Sequence, residues 1–156
     1  HRIVQQQQLI ATNASIRGRY QVVCFTASPL IRWDSLRTYR PHRGRWDFEP
    51  YGICLQRSWL EKRGAQPVIY GSDHDWKQLA EHQRPFFQHR FGNASSGAPR
   101  WDWSIEEEWR YPGTLSLEKL PPEAGFLFVP RRRQAARLAT RSPWPVIYLE
   151  SNGKNA

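Results

Sequence analysis

Apolar residues along this chain gather in short runs, separated by stretches rich in polar residues, glycine and proline. The runs "QVVCFT", "YGICLQ", "PVIY", "GFLFVP" and "WPVIYLE" are rich in β-branched and aromatic residues, a composition typical of buried strands. Ser58 and Gly64 mark the start and end of a short helix, and "RRRQAARLAT" predicts a basic helix. The pattern predicts an α+β fold, with a central mixed sheet of short strands flanked by short helices.

Three other segments carry weaker signals. "RIVQQQQLIA" predicts a short amphipathic helix, and "DHDWKQLAEHQR" predicts a helix that ends at the residue before Pro85. "DWSIEEEWRY", residues 102–111, alternates apolar and polar side chains and predicts a strand. Cys24 and Cys54 lie in apolar strand-like runs without metal-ligand spacing, so we expect buried, reduced thiols.

Length and hydropathy indicate one compact unit. A chain of 156 residues fits a single α+β domain, residues 1–156, and it can bury a core without disulfides. No signal peptide and no apolar run of bilayer length occurs, so we expect a cytoplasmic protein without a membrane partner. Because the sequence opens on His1 and contains no methionine, we expect that a short piece precedes it.

The charge balance favours a polyanionic partner. Lysine and arginine outnumber the acids by 23 to 14, which gives a formal net charge of +9. Arginine dominates, and its planar guanidinium suits phosphate. Basic residues simply solvated at the surface are the alternative. We expect nucleic-acid contacts from six arginines that lie among aromatic residues or in the basic helix: Arg40, Arg43, Arg45, Arg131, Arg132 and Arg133.

Acid is concentrated at residues 106–108. On a strand, Glu106, Glu108 and Arg110 would share one face, with the two carboxylates about 7 Å apart. Such a pair could orient a hydroxyl and stabilise positive charge, and Arg110 favours Glu108 as the functional carboxylate. A solvated edge strand balanced by Arg110 is the alternative. The histidine spacing matches no metal-ligand motif, so we expect no metal.

Four motifs in order resemble one bacterial family. "VVCFTASPL", "FEPYGICLQRSWLEKRGAQPVIYG", "WSIEEEWR" and "FLFVP", between about Gln21 and Pro130, are similar to the abortive-infection AbiGi-like proteins. Family members often carry an acid after "FT", where this chain has Ala27. The resemblance implies a phage-defence or toxin-type protein.

The same motif order resembles, more distantly, compact ADP-ribosyltransferase folds of the DarT type. That likeness implies NAD as cofactor and a nucleotide or nucleic acid as acceptor. It implies Glu106 or Glu108 as the late glutamate and Thr26 or Tyr51 as the middle residue, with a first-strand residue at His1 or Arg2 or before them. The other hypotheses are a nucleic-acid-binding module without catalysis and a toxin–antitoxin protein partner.

Overall fold

The computed structural model of the protein describes residues 2–40, 44–92 and 102–149. The chain divides into two compact units that interleave along the sequence. Unit 1 comprises His1–Gln8, Pro29–Leu60 and Ser116–Ala156, and unit 2 comprises Leu9–Ser28 and Glu61–Leu115. Helices and strands both occur, with the strands in several small sheets, so the α+β class is confirmed. The boundaries of a single domain stay a prediction.

Unit 1 contains most of the helical residues. Its elements are α1 (Arg2–Gln6), α2 (Trp33–Leu36), β3 (Thr38–Arg40), β4 (Arg45–Asp47), β5 (Gly52–Leu55), α3 (Arg57–Glu61, whose last residue belongs to unit 2), β11 (Gly125–Val129), α5 (Arg132–Ala139) and β12 (Val146–Tyr148). Two short strands lie where the division crosses the chain, β1 (Gln8–Leu9) and β10 (Leu115–Ser116).

A three-stranded mixed sheet in the order β12, β11, β5 forms the centre of unit 1. Strand β11 pairs antiparallel with β5 and parallel with β12, and its buried residues alternate at Gly125, Leu127 and Val129. Parallel neighbours need a crossover, and α5 supplies it by packing on β11 and β12. Ala135 is the buried residue of that helix, so its arginines lie on the outer side.

A separate two-stranded hairpin in unit 1 joins β3 to β4. Tyr39 lies opposite Trp46 in this antiparallel pair, and Arg40 lies opposite Arg45. The sequence predicted only an aromatic and basic segment here. The hairpin forms because tyrosine and tryptophan at opposed positions are a favourable cross-strand pair.

Unit 2 is built on an antiparallel sheet in the order β2, β9, β6. Its elements are β2 (Val22–Thr26), β6 (Gln66–Pro67), β7 (Ile69–Gly71), α4 (Asp73–Gln78), β8 (Phe87–His89) and β9 (Glu108–Pro112). Strands β7 and β8 form a second, parallel pair. Val22, Phe86 and Phe87 are among its buried core residues.

The prediction of one central sheet was wrong. The runs around Cys54, Phe128 and Ile147 do share the mixed sheet of unit 1, but Cys24 lies in β2, in the sheet of unit 2. The expected strand Pro67–Tyr70 is divided between β6 and β7, which belong to different sheets. Both cysteines are free thiols, as predicted, but neither is buried as expected: Cys24 is exposed and Cys54 is intermediate.

The prediction of a strand over residues 102–111 was also wrong for the first half of that segment. Trp103–Glu106 forms a 3-10 turn, since the Asp102 carboxylate accepts hydrogen bonds from the Ser104 amide and hydroxyl. Glu107 then takes the left-handed conformation, with φ of 46°. The strand therefore begins only at Glu108.

Two predicted helices are shorter than the sequence indicated. The first ends at Gln6, because Gln7 has a positive φ of 47°. The second, α4, starts at a reciprocal cap between Ser72 and Asp75 and ends at Gln78, and Glu81–Phe86 then forms a 3-10 helix that contains Pro85. The predicted loop at 92–100 lies outside the described residues, apart from Gly92. Among the described helices, none combines the length and apolar character that a bilayer crossing requires.

Candidate functional site

Glu108 and Arg110 in β9 form a buried ion pair with two hydrogen bonds. Arg110 Nε donates to Glu108 Oε1 at 2.7 Å, and an Arg110 terminal nitrogen, Nη2, donates to Oε2 at 3.2 Å. The Arg110 side chain is 1% exposed and that of Glu108 is 14% exposed. Because the pair is bidentate and shielded from water, each partner fixes the other.

The remaining donors of Arg110 bind backbone and side-chain oxygens of one neighbouring segment. Nη1 donates to the carbonyl oxygens of Pro85 and Phe87, at 3.2 and 2.6 Å, and Nη2 also donates to Gln88 Oε1 at 2.7 Å. A guanidinium has five N–H groups, and these contacts together with the two to Glu108 use five. Arg110 therefore joins β9 to the segment around β8.

Thr26 lies beside this ion pair, but not with the geometry expected from the sequence. It is the register partner of Glu108, and its hydroxyl donates to the backbone oxygen of Glu106 at 2.6 Å. Glu106 lies in the 3-10 turn and Glu108 in the strand, so the two carboxylates do not share one strand face. The paired-carboxylate geometry proposed from strand alternation is thereby corrected. Catalysis by these residues stays a prediction.

Two further side chains, Tyr70 and Cys24, border the ion pair. The Tyr70 hydroxyl accepts from the Glu108 amide at 3.0 Å, and burial raises the pKa of that hydroxyl to about 12. Burial, and after it the Glu108 carboxylate, raises the pKa of the Cys24 thiol to about 12.

Tyr51 lies in unit 1, whereas the ion pair lies in unit 2. Its side chain is exposed, and its hydroxyl accepts from Gln134 Nε2 in α5 at 3.4 Å. Tyr51 therefore belongs with the basic helix in the observed contacts. Of the first-strand candidates, His1 lies outside the described residues and Arg2 is an exposed residue of α1.

A cavity of about 460 Å³ in unit 2 was not foreseen from the sequence. Its lining residues are Tyr70, Gly71, Ser72, Asp73, Asp75, His89, Arg90 and Phe91. At its edge the Arg17 guanidinium pairs with Asp73 and approaches His89 Nε2 at 2.7 Å. Since arginine has no acceptor, His89 Nε2 accepts and the imidazole carries its proton on Nδ1.

Arg17 also lowers the pKa of one acid that lines this cavity, Asp73. Its hydrogen bond is the first cause that holds the pKa of the Asp73 carboxyl below its ordinary value. Within the described residues, no three histidine, cysteine, aspartate or glutamate side chains gather as a metal site would require. Arg17 comes from a segment distant in the sequence, so residue spacing does not reveal this cluster.

The predicted nucleic-acid contacts all belong to unit 1. Arg131, Arg132 and Arg133 are exposed at the start of α5. The backbones of Arg40 and Arg45 lie opposite each other in the hairpin, and Arg43 lies outside the described residues. Two arginines that the sequence analysis did not single out, Arg137 and Arg141, are exposed as well. They follow Arg133 at helical spacing of four residues.

The basic charge is distributed unevenly between the two units. By sequence, unit 1 carries fourteen lysines and arginines against six acids, a formal net charge of +8. Unit 2 carries nine against eight, which gives +1. Nearly all of the chain's net charge of +9 therefore resides in unit 1.

Comparison with known proteins adds no relative: no family model, curated protein or solved structure matches the chain. The likeness to abortive-infection proteins and to ADP-ribosyltransferases therefore stays a prediction.

Proposed function

We propose that the chain binds nucleic acid through unit 1. The observation that carries this proposal is the net charge of +8 in that unit, against +1 in unit 2. A general requirement for solubility would not direct the positive charge to one unit. Concentrated arginine is the electrostatic footprint of a phosphate-binding surface.

Helix α5 supports the proposal through the placement of its arginines. Arg133 and Arg137 are four residues apart on one side of the helix, and Arg141 follows Arg137 by four residues in the turn after it. All three are exposed, and none has an acidic partner among the described residues. Like charges at this spacing repel each other, and a bound polyanion would remove that cost.

The start of α5 adds a second electrostatic cost of the same kind. Arg131, Arg132 and Arg133 lie at the amino-terminal end of the helix, which itself carries partial positive charge. The first turn of α5 contains no acidic residue to offset them. Phosphate oxygens would be stabilised by both the guanidinium groups and the helix end.

Helix α5 also has the rigidity that a binding face requires. Ala135 is buried, and the helix packs on strands β11 and β12 of the mixed sheet. Since the apolar side of the helix is fixed to the sheet, its arginines are held outward without folding on binding. The phosphate contacts would add affinity without the entropic cost of ordering a disordered tail.

A catalytic role remains a separate proposal. Transfer of ADP-ribose from NAD would need a carboxylate free to orient a ribose hydroxyl, and Glu108 is the residue proposed for it. Both of its carboxylate oxygens accept hydrogen bonds from Arg110, so a substrate hydroxyl would have to share them. Binding is therefore the function that we place first. A defence or toxin role and a protein partner remain hypotheses.

Fluorescence anisotropy of a labelled 20-nucleotide DNA tests the binding proposal. At physiological salt we expect a dissociation constant on the order of micromolar, the range of sequence-independent contacts. Affinity should fall steeply as salt is raised, because bound counterions are released from the phosphates. If the DNA does not bind at low salt, even at a protein concentration about 100 times that dissociation constant, the proposal is overturned.

A further inference from the structure

The β3–β4 hairpin of unit 1 carries two aromatic side chains that remain open to solvent. Tyr39 is 47% exposed and Trp46 is 41% exposed, although they are cross-strand partners. Their ring centroids are 5.4 Å apart and the planes are tilted by 58°. Stabilisation of the hairpin accounts for the contact between the rings, but not for the large ring area left in water.

An arginine lies against the same pair. The Arg37 guanidinium carbon is 4.4 Å from the centroid of Trp46 and 6.0 Å from that of Trp33, which places the cation between two indole rings. Arg37 is only partly exposed, and its guanidinium makes no hydrogen bond or ion pair with any described residue. Among the described residues, its charge is thus held in place by aromatic faces.

Exposed rings next to a guanidinium match the two parts of an unpaired nucleotide. Bases stack on aromatic side chains whatever their sequence, while the phosphate pairs with arginine. A duplex hides its base faces inside the stack, so it could use the arginine but not the rings. The net charge of unit 1 complements the polyanion and argues against a neutral apolar partner.

We propose that the hairpin surface formed by Arg37, Tyr39 and Trp46 stacks unpaired bases, so that the preferred ligand is single-stranded nucleic acid. This inference rests on the proposed binding function and names its substrate class. Helix α5 supplies phosphate contacts that either a duplex or a single strand can make, and the hairpin supplies the contact that only unpaired bases can make.

The affinities of four labelled 12-mers test the inference. The four are single-stranded DNA, single-stranded RNA and the duplex of each. We expect the single strands to bind about tenfold tighter than the duplexes of the same length, since one stacked base contributes about that factor. The DNA and RNA arms separate a preference for one sugar from the shared preference for unpaired bases. Equal affinity for single strands and duplexes would overturn the inference.

Two substitutions at Trp46 separate stacking from packing. Trp46→Leu keeps an apolar side chain in the hairpin but removes the ring, and it should weaken single-strand binding about tenfold. Trp46→Phe keeps a ring and should retain most of the affinity. Ile31→Ala is the matched control, because Ile31 is a 90% exposed apolar residue of unit 1 with no part in the ring cluster.

Outcomes for the two proposals are distinguishable. If every oligonucleotide fails to bind at low salt, the proposed function itself fails. If all bind with steep salt dependence but Trp46→Leu binds like Ile31→Ala, only the stacking surface is wrong. Circular dichroism and the melting temperature of each variant establish that it is folded, and if Trp46→Leu unfolds, Tyr39→Leu replaces it in the same comparison.

Discussion

Arg110 donates two hydrogen bonds to Glu108, of 2.7 and 3.2 Å. Its other donors bind the carbonyl oxygens of Pro85 and Phe87 and the side chain of Gln88. The pair therefore joins strand β9 to a segment more than twenty residues earlier in the chain. This explains why acid is placed beside an arginine in a basic protein: the buried cation needs a carboxylate partner.

Glu108→Gln should destabilise unit 2. The change leaves the Arg110 guanidinium, 1% exposed, without a negative partner, and breaking a buried pair in this way costs about 3 kcal/mol of the free energy of unfolding. Urea denaturation measures the loss as a lower midpoint with an unchanged slope. Glu81→Gln removes one exposed carboxylate of the same unit and should change the free energy by less than about 0.5 kcal/mol.

A midpoint for Glu108→Gln equal to that of Glu81→Gln would show that the ion pair contributes no net stability. In that case Glu108 would be free for a functional role, and the transferase hypothesis would gain its main residue. The stability measurement thus separates a structural carboxylate from a candidate for catalysis.

Cys24 should react slowly with alkylating reagents at pH 8. With its pKa raised to about 12, about one thiol in ten thousand is ionised there, against about one in ten at the ordinary value of 9.0. Because Glu108 is the second cause after burial, Glu108→Gln should speed labelling by on the order of tenfold. Mass spectrometry of peptides labelled with iodoacetamide gives the rate at each pH.

The same protonation equilibrium sets a direction for stability at high pH. The folded state holds the Cys24 proton up to about pH 12, while an unfolded chain releases it near pH 9. The unfolded state therefore binds fewer protons between these values, and stability falls as the pH rises through this window. If Cys24→Ser leaves the alkaline loss of stability unchanged, this thiol is not its source.

Gly52→Ala should destabilise the mixed sheet of unit 1. A Cβ atom at this position would lie 2.5 Å from the ring of Phe128, its register partner in β11. Shifting that ring costs about 1–3 kcal/mol, as overpacking does elsewhere. A lower melting temperature for Gly52→Ala, recovered in part by adding Phe128→Leu, would identify the clash as the cause. Equal melting temperatures for the single variant and the original protein would contradict the close packing.

Local sequence was sufficient for elements with a strong local composition signal. Strands β2, β5 and β11 follow uninterrupted apolar runs, and α5 follows a run of strong helix formers, so all four were predicted close to their observed bounds. The alternation rule failed at residues 103–106, because the Asp102 side chain accepts a hydrogen bond from the local backbone and this competes with strand formation.

Features that depend on distant segments could not be predicted. The partners of Arg110 near Pro85, and of His89 at Arg17, are brought together only by the tertiary fold. The charge difference between the units likewise depends on which of the interleaved segments pack together. The sequence does supply the arginines and aromatics of residues 32–48, but not the pairing of Tyr39 with Trp46.

Binding through unit 1 predicts that its exposed arginines carry the salt dependence. A triple variant removes three exposed arginines, two in α5 and one in the turn after it: Arg133→Gln, Arg137→Gln and Arg141→Gln. A control variant removes the same charge from exposed positions of unit 2: Arg19→Gln, Lys62→Gln and Lys77→Gln. Both variants lower the net charge by three, so a difference between them reports position and not total charge.

The slope of log affinity against log salt concentration, measured with a single-stranded 20-mer, tests the account most directly. Each phosphate neutralised on a single strand contributes about −0.7 to that slope, so losing these three arginines should make it shallower by about 2. The unit 2 control should keep the original slope. Equal slopes for the original protein and the α5 variant, or an equal loss in both variants, would contradict binding through unit 1.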